Sequence, residues 1–209
     1  TFEKLQKNQN TRQALMLIWD PAADNEDGHK DYACNNLSQL LIRHGSLEWT
    51  QIMRSNDLIW GFPYNSVQFC SLMQIMASML KVPVGTYSHF SNSSHIYQNM
   101  FDEARIVNQI ESTYYKPVPL TARDYDHFRQ IVEECANIET ELRVGIGPDF
   151  KYLNPETLPE GWIVLLATLG FYTMLKRKNL DVAKLYLDII PSTSYEYSWC
   201  LNKYTKAIG

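Results

Sequence analysis

The sequence lacks an excess of either charge. Its 209 residues carry 19 Lys and Arg against 23 Asp and Glu, a formal net charge of -4. A chain that neutralises many phosphates needs a basic face or tail, and none is visible, so no nucleic-acid partner is expected. A small anionic ligand held by two or three arginines remains compatible. Paired cysteines are also missing. Cys34, Cys70, Cys135 and Cys200 lie far apart without metal-ligand spacing, which suggests neither a zinc site nor a disulfide framework and fits a reducing, cytoplasmic location. There is no basic-then-apolar leader, and the longest apolar run, Trp162 to Leu175, is too short to span a bilayer comfortably although Lys176-Arg177-Lys178 follows it. It reads as a buried core helix, with no membrane partner. Gly145-Ile146-Gly147 has no third glycine and no preceding strand, so it is not a dinucleotide fingerprint.

What is present is a globular composition, 45% hydrophobic and 12% aromatic. Phe2 to Asn8 reads as a helix end, Ala14 to Trp19 as a buried strand, and Ala22 to Lys30 as a polar loop. Leu37 to Arg43 and Ser46 to Met53, separated by His44-Gly45, read as a hairpin that delivers Cys34 and Arg54 to the same end of a sheet. Tyr64 to Leu80 is predicted helical, with Val67, Phe69, Cys70, Leu72, Met73, Ile75, Met76 and Met79 forming a broad apolar surface. Val82 to Phe90 reads as a strand and Tyr97 to Ile110 as a helix.

Beyond residue 115 the pattern turns helical. Phe128, Ile131, Val132, Cys135, Ile138 and Leu142 recur at helical spacing, with Thr121 and Asp124 as a start signal. Further helices are expected over Gly161–Lys176, Leu180–Ile189 and Tyr195–Lys206. The expected class is α+β: a mixed sheet with packed helices over residues 1–114, then a mainly α-helical region over 115–209 whose role the sequence leaves open.

The first half carries an ordered run of short motifs: Tyr32-Ala33-Cys34-Asn35-Asn36, Gln39, Arg54-Ser55-Asn56-Asp57, Gly61-Phe62-Pro63-Tyr64-Asn65 and His95-Ile96-Tyr97. Over residues 3 to 110 this run resembles the nucleotide-binding half of the thymidylate synthase family, which also contains the dUMP and dCMP hydroxymethylases. The resemblance implies that Cys34 is the nucleophile. A pyrimidine C5 becomes nucleophilic only after something adds to C6, and a thiolate adds and leaves readily. A nearby cation favours the thiolate, and Arg54 would supply it while also binding phosphate. Arg12, Arg54 and Ser55 form the implied phosphate set, because guanidinium offers parallel charge-assisted hydrogen bonds.

The resemblance further implies that Asn65 reads the base, His95 and Tyr97 bond the sugar hydroxyl, and Asp57 and Gly61 receive the pterin of 5,10-methylenetetrahydrofolate. An amide at Asn65 accepts from uracil N3–H and donates to O4, whereas cytosine presents the reverse pattern, so uracil is favoured. Read without the family, Asn65 would be a helix cap and Asp57 a loop cap. The arginine equivalent to Arg12 reaches across a dimer interface in the family, so a homodimer acting on a pyrimidine deoxynucleoside monophosphate is expected. Family members carry a long segment before the part matched here, so the sequence, starting at Thr1, reads as amino-terminally incomplete.

Ala33 and Asn35 flank Cys34 where synthases have proline and histidine, Met53 replaces a glutamine, and Ser93 stands where aspartate is common. The Cys-x-Asn and Met-Arg-Ser-Asn-Asp patterns resemble phage dCMP hydroxymethylases, whereas Pro63 and Asn65 are synthase-like. Three readings stay open: methyl transfer to dUMP, which is preferred; hydroxymethylation of dUMP or dCMP; and a nucleotide-binding or interaction homologue without turnover.

Overall fold

The computed structural model describes residues 1–28, 30–109, 115, 118–144 and 153–208. The chain divides into two compact units, Thr1–Ser112 and Thr113–Gly209. The first begins with α1 (Phe2–Lys7), β1 (Leu15–Leu17) and a short α2 (Pro21–Asp24). That turn of helix replaces the start of the loop expected from Ala22. Asp20 accepts from Ala22 N at 3.0 Å and Pro21 opens the helix, where its missing N–H costs nothing.

β2 (Asn35–Arg43) and β3 (Ser46–Met53) form the expected hairpin. His44 and Gly45 both take positive φ, 50° and 79°, which suits the right-handed twist of a two-residue turn. A two-residue β4 (Asn56–Asp57) follows, then α3 (Gly61–Leu80), β5 (Val84–Ser91), β6 (Ser94–His95), a 3-10 turn and α4 (Phe101–Val107). The helix expected over 97–110 is therefore shorter at its start, and Ile110 lies outside the described residues. Strand order is β1-β2-β3-β5, antiparallel except for the parallel β3/β5 pair that α3 connects.

Alternation along β2 and β3 sends Leu40, Ile42, Leu47 and Trp49 to one face, where they pack with Leu5, Phe69, Met73 and Ala77 from the helices. The opposite face carries Leu15, Leu17 and Phe90, which are 43, 74 and 55% exposed. Val67 was expected within the apolar surface of α3, yet it is 69% exposed, on the side of the helix away from the sheet.

The second unit contains α5 (Tyr125–Val144), α6 (Glu160–Lys176), α7 (Leu180–Ile189) and α8 (Tyr195–Ile208). The carboxylate of Asp124, rather than a Thr121 capping box, starts α5 by accepting from His127 N at 2.8 Å. Ile131, Ile138 and Leu142 are buried along α5, whereas Val132 is 45% exposed. The apolar run is α6, a helix with buried residues on nearly every side, including Trp162, Leu166 and Phe171. Among the described residues no helix is long and apolar enough to cross a membrane. The Gly145-Ile146-Gly147 stretch lies outside the described residues.

Candidate active site

Antiparallel pairing of β2 with β3 brings the start of one strand beside the end of the other, and Asn35 pairs with Met53. Cys34 and Arg54 are the next residues outward, and the backbone joins them through Arg54 N donating to Cys34 O at 2.9 Å. The Arg54 side chain repeats the clamp. Its Nε donates to Ala33 O at 2.9 Å, its Nη2 donates to Tyr32 O at 3.2 Å, and Nη2 stands 4.0 Å from Cys34 Sγ. Trp19 lies under the guanidinium, 5.7 Å from ring centroid to Cζ. Three of five guanidinium donors, on Nε and Nη2, are thus directed at the cysteine loop, which leaves the two on Nη1.

β3 and β5 do not end at the sheet edge. Asn92 N donates to Met53 O, Ser93 N to Arg54 O and Asn56 N to Ser93 O, at 2.9 to 3.2 Å, so the pairing continues into parallel β4/β6. Asp57 and His95 are register partners there, and the rings of His95 and Tyr97 meet edge to face at 5.0 Å. Ser55 is half-buried between Arg54 and this pair.

Asp57 accepts from the backbone N–H groups of Ile59, Trp60 and Gly61 at 3.3, 2.7 and 3.2 Å, which makes it the start signal of α3. Burial alone would raise its pKa, but these donors and the nearby His95 outweigh that and hold the carboxyl below the usual range. Gly61 is forced by packing, since a Cβ there would stand 2.4 Å from Asn56 Oδ1. Because α3 starts at Gly61, Asn65 is one turn inside the helix and not a cap. Its Nδ2 donates to Asn56 Oδ1 at 3.3 Å.

Arg12 is not part of this cluster. Its carbonyl accepts from Gln39 Nε2 at 3.4 Å, at the end of β1 opposite the one that meets Asn36, and its side chain is exposed.

Several residues join the site that motif reading passes over. Trp60 and Tyr64 stack at 6.1 Å and 10°, 54 and 66% exposed, beside Asp57. Asn56 is 3% exposed, and its Nδ2 lies 2.9 Å from His89 Nε2. Gln51, fully buried, accepts from Ser38 Oγ and Trp49 Nε1 and donates to Asn35 Oδ1 at 3.0 Å, fixing the neighbour of Cys34. The signal for Gln51 is a polar residue at an inward position of an alternating strand; His89 carries no comparable signal.

The mixed sheet with α3 connecting its parallel pair is the fold of a thymidylate synthase. The structure of thymidylate synthase from T4 phage is similar to this one with a TM-score of 0.50 and 23% sequence identity, over 56% of this chain and 42% of that chain. The family model for thymidylate synthase matches residues 1–139, and the chain belongs to that family. The match runs beyond residue 110, where the legible motifs stop, and takes in most of α5.

The deoxyuridylate hydroxymethyltransferase of Bacillus phage SP01 is 37% identical over 115 residues, 54% of this chain and 30% of the relative. A putative thymidylate synthase of Methanocaldococcus jannaschii is 32% identical over 137 residues, 64% of this chain and 51% of the relative. The chain thus spans about half or less of the length of these curated relatives.

Proposed function

We propose that the chain belongs to a transferase that adds a one-carbon unit to C5 of a pyrimidine deoxynucleotide, with dUMP as substrate and methyl transfer as the outcome. The observation that carries this reading is the Arg54 guanidinium within 4.0 Å of Cys34 Sγ, with Asp57 and His95 on the strands that follow and Asn65 bonded to Asn56 from α3. Cys34 adds through sulfur to C6 of the ring, and the electron pair moves through C5 to the carbonyl at C4. C5 would then take the one-carbon unit, its proton would pass to solvent, and the carbon–nitrogen bond to the folate would break with the nitrogen keeping the pair and taking a proton. Hydride for the methyl outcome, or water for the hydroxymethyl one, would add to the transferred carbon as the Cys34 thiolate leaves C6 and the ring double bond returns. Arg54 holds positive charge beside the sulfur, with its two Nη1 donors available to the substrate phosphate.

Ser55 and Arg12 complete the phosphate set, Arg12 from a second copy, since the register keeps it away from Cys34 of its own chain. The open sheet face with Leu15, Leu17 and Phe90 supports that homodimer. Asn65 takes the base edge, and His95 with Tyr97 takes the sugar hydroxyl.

The residues present fit methylenetetrahydrofolate. Asp57 is held in its charged form with one oxygen lone pair left by its backbone donors, and the exposed faces of Trp60 and Tyr64 offer a flat apolar surface beside it. When bound, that group supplies the one-carbon unit and, for methyl transfer, the hydride. Hydroxymethyl transfer is the second reading, favoured by the phage relative and by Asn35 in place of histidine after Cys34.

Incubation with dUMP or dCMP and methylenetetrahydrofolate, with products identified by mass, separates the outcomes. A methylated product with dihydrofolate release is expected, and a hydroxymethylated one moves the assignment to the second reading. Cys34→Ser should lower turnover at least about a thousandfold, and unchanged turnover would remove the nucleophile from the scheme.

A further inference from the structure

The Asn65 amide is not free to turn. Its Nδ2 donates to Asn56 Oδ1 at 3.3 Å, Asn56 Nδ2 reaches His89 Nε2 at 2.9 Å, and His89 Nδ1 lies 2.8 Å from the Tyr87 hydroxyl. The chain of hydrogen bonds runs from α3 through β4 to β5. A ring nitrogen that accepts from an amide carries no proton, so acceptance at Nε2 puts the imidazole proton on Nδ1, which donates to the Tyr87 oxygen.

Each link fixes the polarity of the next. With Nε2 accepting, Asn56 must turn Nδ2 toward His89 and Oδ1 toward Asn65, and Asn65 must offer Nδ2 in return. Rotating either amide alone by half a turn would oppose two donors or two acceptors in a site where Asn56 is 3% exposed. Packing closes the remaining freedom. Phe62 meets the His89 ring edge on at 5.1 Å, and the space above Gly61 is filled by Asn56 Oδ1. What Asn65 has left for a ligand is one amide hydrogen and the free lone pairs of Oδ1, in a fixed order.

We propose that Asn56 and His89 are positioning residues that set pyrimidine choice by fixing which way round Asn65 presents its amide. The inference rests on the reading above in which Asn65 meets the 3,4-edge of the base. Uracil offers a donor at N3 and an acceptor at O4; cytosine offers an acceptor at N3 and donors at N4, and needs the amide reversed. A loose Asn65 would turn to suit either base. A locked one accepts one edge and leaves groups unpaired against the other.

The test is equilibrium titration of the full chain with dUMP and with dCMP, comparing wild type with Asn56→Ala, His89→Leu and Asn56→Asp. The first two should lower the ratio of the affinities by roughly tenfold to a hundredfold, mainly through tighter binding of the disfavoured nucleotide. Asn56→Asp, whose carboxylate still accepts from Asn65 Nδ2, should keep the wild-type ratio. Loss of packing would weaken both nucleotides together, so an unchanged ratio in Asn56→Ala and His89→Leu overturns the proposal. A wild type that prefers dCMP sinks the uracil reading and leaves the lock standing, whereas one that binds neither nucleotide overturns both. The nitrogen-15 spectrum of His89 gives an answer without any ligand: an unprotonated Nε2 supports the lock, and a protonated Nε2 in the neutral ring overturns it.

Discussion

The two units of this chain bury different kinds of side chain. In the first, Ser38, Gln51 and Asn56 are at most 3% exposed, and each has its partners: Ser38, Trp49 and Asn35 around Gln51, Asn65 and His89 around Asn56. In the second, the buried positions of α6 and α7 are almost wholly apolar, and the Tyr186 ring packs so close to Gly170 that a Cβ there would stand 2.3 Å from the ring. The cysteines do not divide by unit, since burial pushes the Cys70 thiol up in the first as well. Burial, with a glutamate nearby, pushes Cys135 up to about 11 and Cys200 up to about 12, which makes them inert thiols, whereas Cys34 lies half-buried under a guanidinium. An apolar interior secures stability with little demand on orientation. A polar one adds less stability but dictates which way each amide faces, and that is what recognition of a flat heterocycle requires.

The comparison breaks most visibly at Phe171, which is fully buried in α6. Phe171→Ala should cost about 3–5 kcal/mol, read as a lower urea midpoint, while the ratio of dUMP to dCMP affinity stays at its wild-type value. A shift in that ratio would show that apolar packing in the second unit also orients the base-reading amide. Gln51→Leu makes the reverse cut. It keeps the volume but leaves the Trp49 N–H, the Ser38 hydroxyl and the Asn35 carbonyl unpaired, at about 1–3 kcal/mol, and it frees Asn35 beside Cys34. Turnover should fall by more than the stability change alone explains, because the loop bearing Cys34 loses its inner anchor. Equal stability for Gln51→Leu and wild type would mean that the cluster contributes nothing to the folded state.

The sheet was legible because alternation and a His44-Gly45 turn are local signals, and they delivered Cys34 next to Arg54 without any knowledge of tertiary contacts. The helical half was legible for the same reason, and α7 falls on Leu180–Ile189 as its apolar period requires. Other features escaped. β4 and β6 are two residues each, too short to show a period, and exist only because β3 and β5 continue past the edge of the sheet. α3 is expected from Tyr64 yet starts at Gly61, since proline is tolerated in a first turn and the start signal is the Asp57 carboxylate three residues before Trp60. That shift moves Asn65 from a cap to the inner wall of the site. His89 was silent, since only Tyr87 is near it along the chain, and Asn56 and Phe62 reach it from β4 and α3 through the fold alone.

The smallest expected effect sharpens the contrast through pH. Burial holds the folded-state pKa of His89 below its ordinary 6.5, while the unfolded chain takes up the proton near that value. Between the two values the unfolded state binds more protons, so stability rises with pH across that window. The contribution is complete above 6.5 and is lost as pH falls through the folded-state value. Protonation also removes the Nε2 lone pair that accepts from Asn56, so the Asn65 lock should open over the same window. Asp57 acts lower. Its carboxyl is depressed below 3.8, so its contribution is present above that value and goes only as pH falls further, which keeps the two windows apart. Urea midpoints measured from pH 7.5 down to about 5 should decline for wild type once pH drops below the ordinary histidine range, and should decline less for His89→Gln. Identical slopes for the two proteins would mean that the imidazole is hydrated enough to charge freely, and the amide chain would then rest on Asn56 and Asn65 alone.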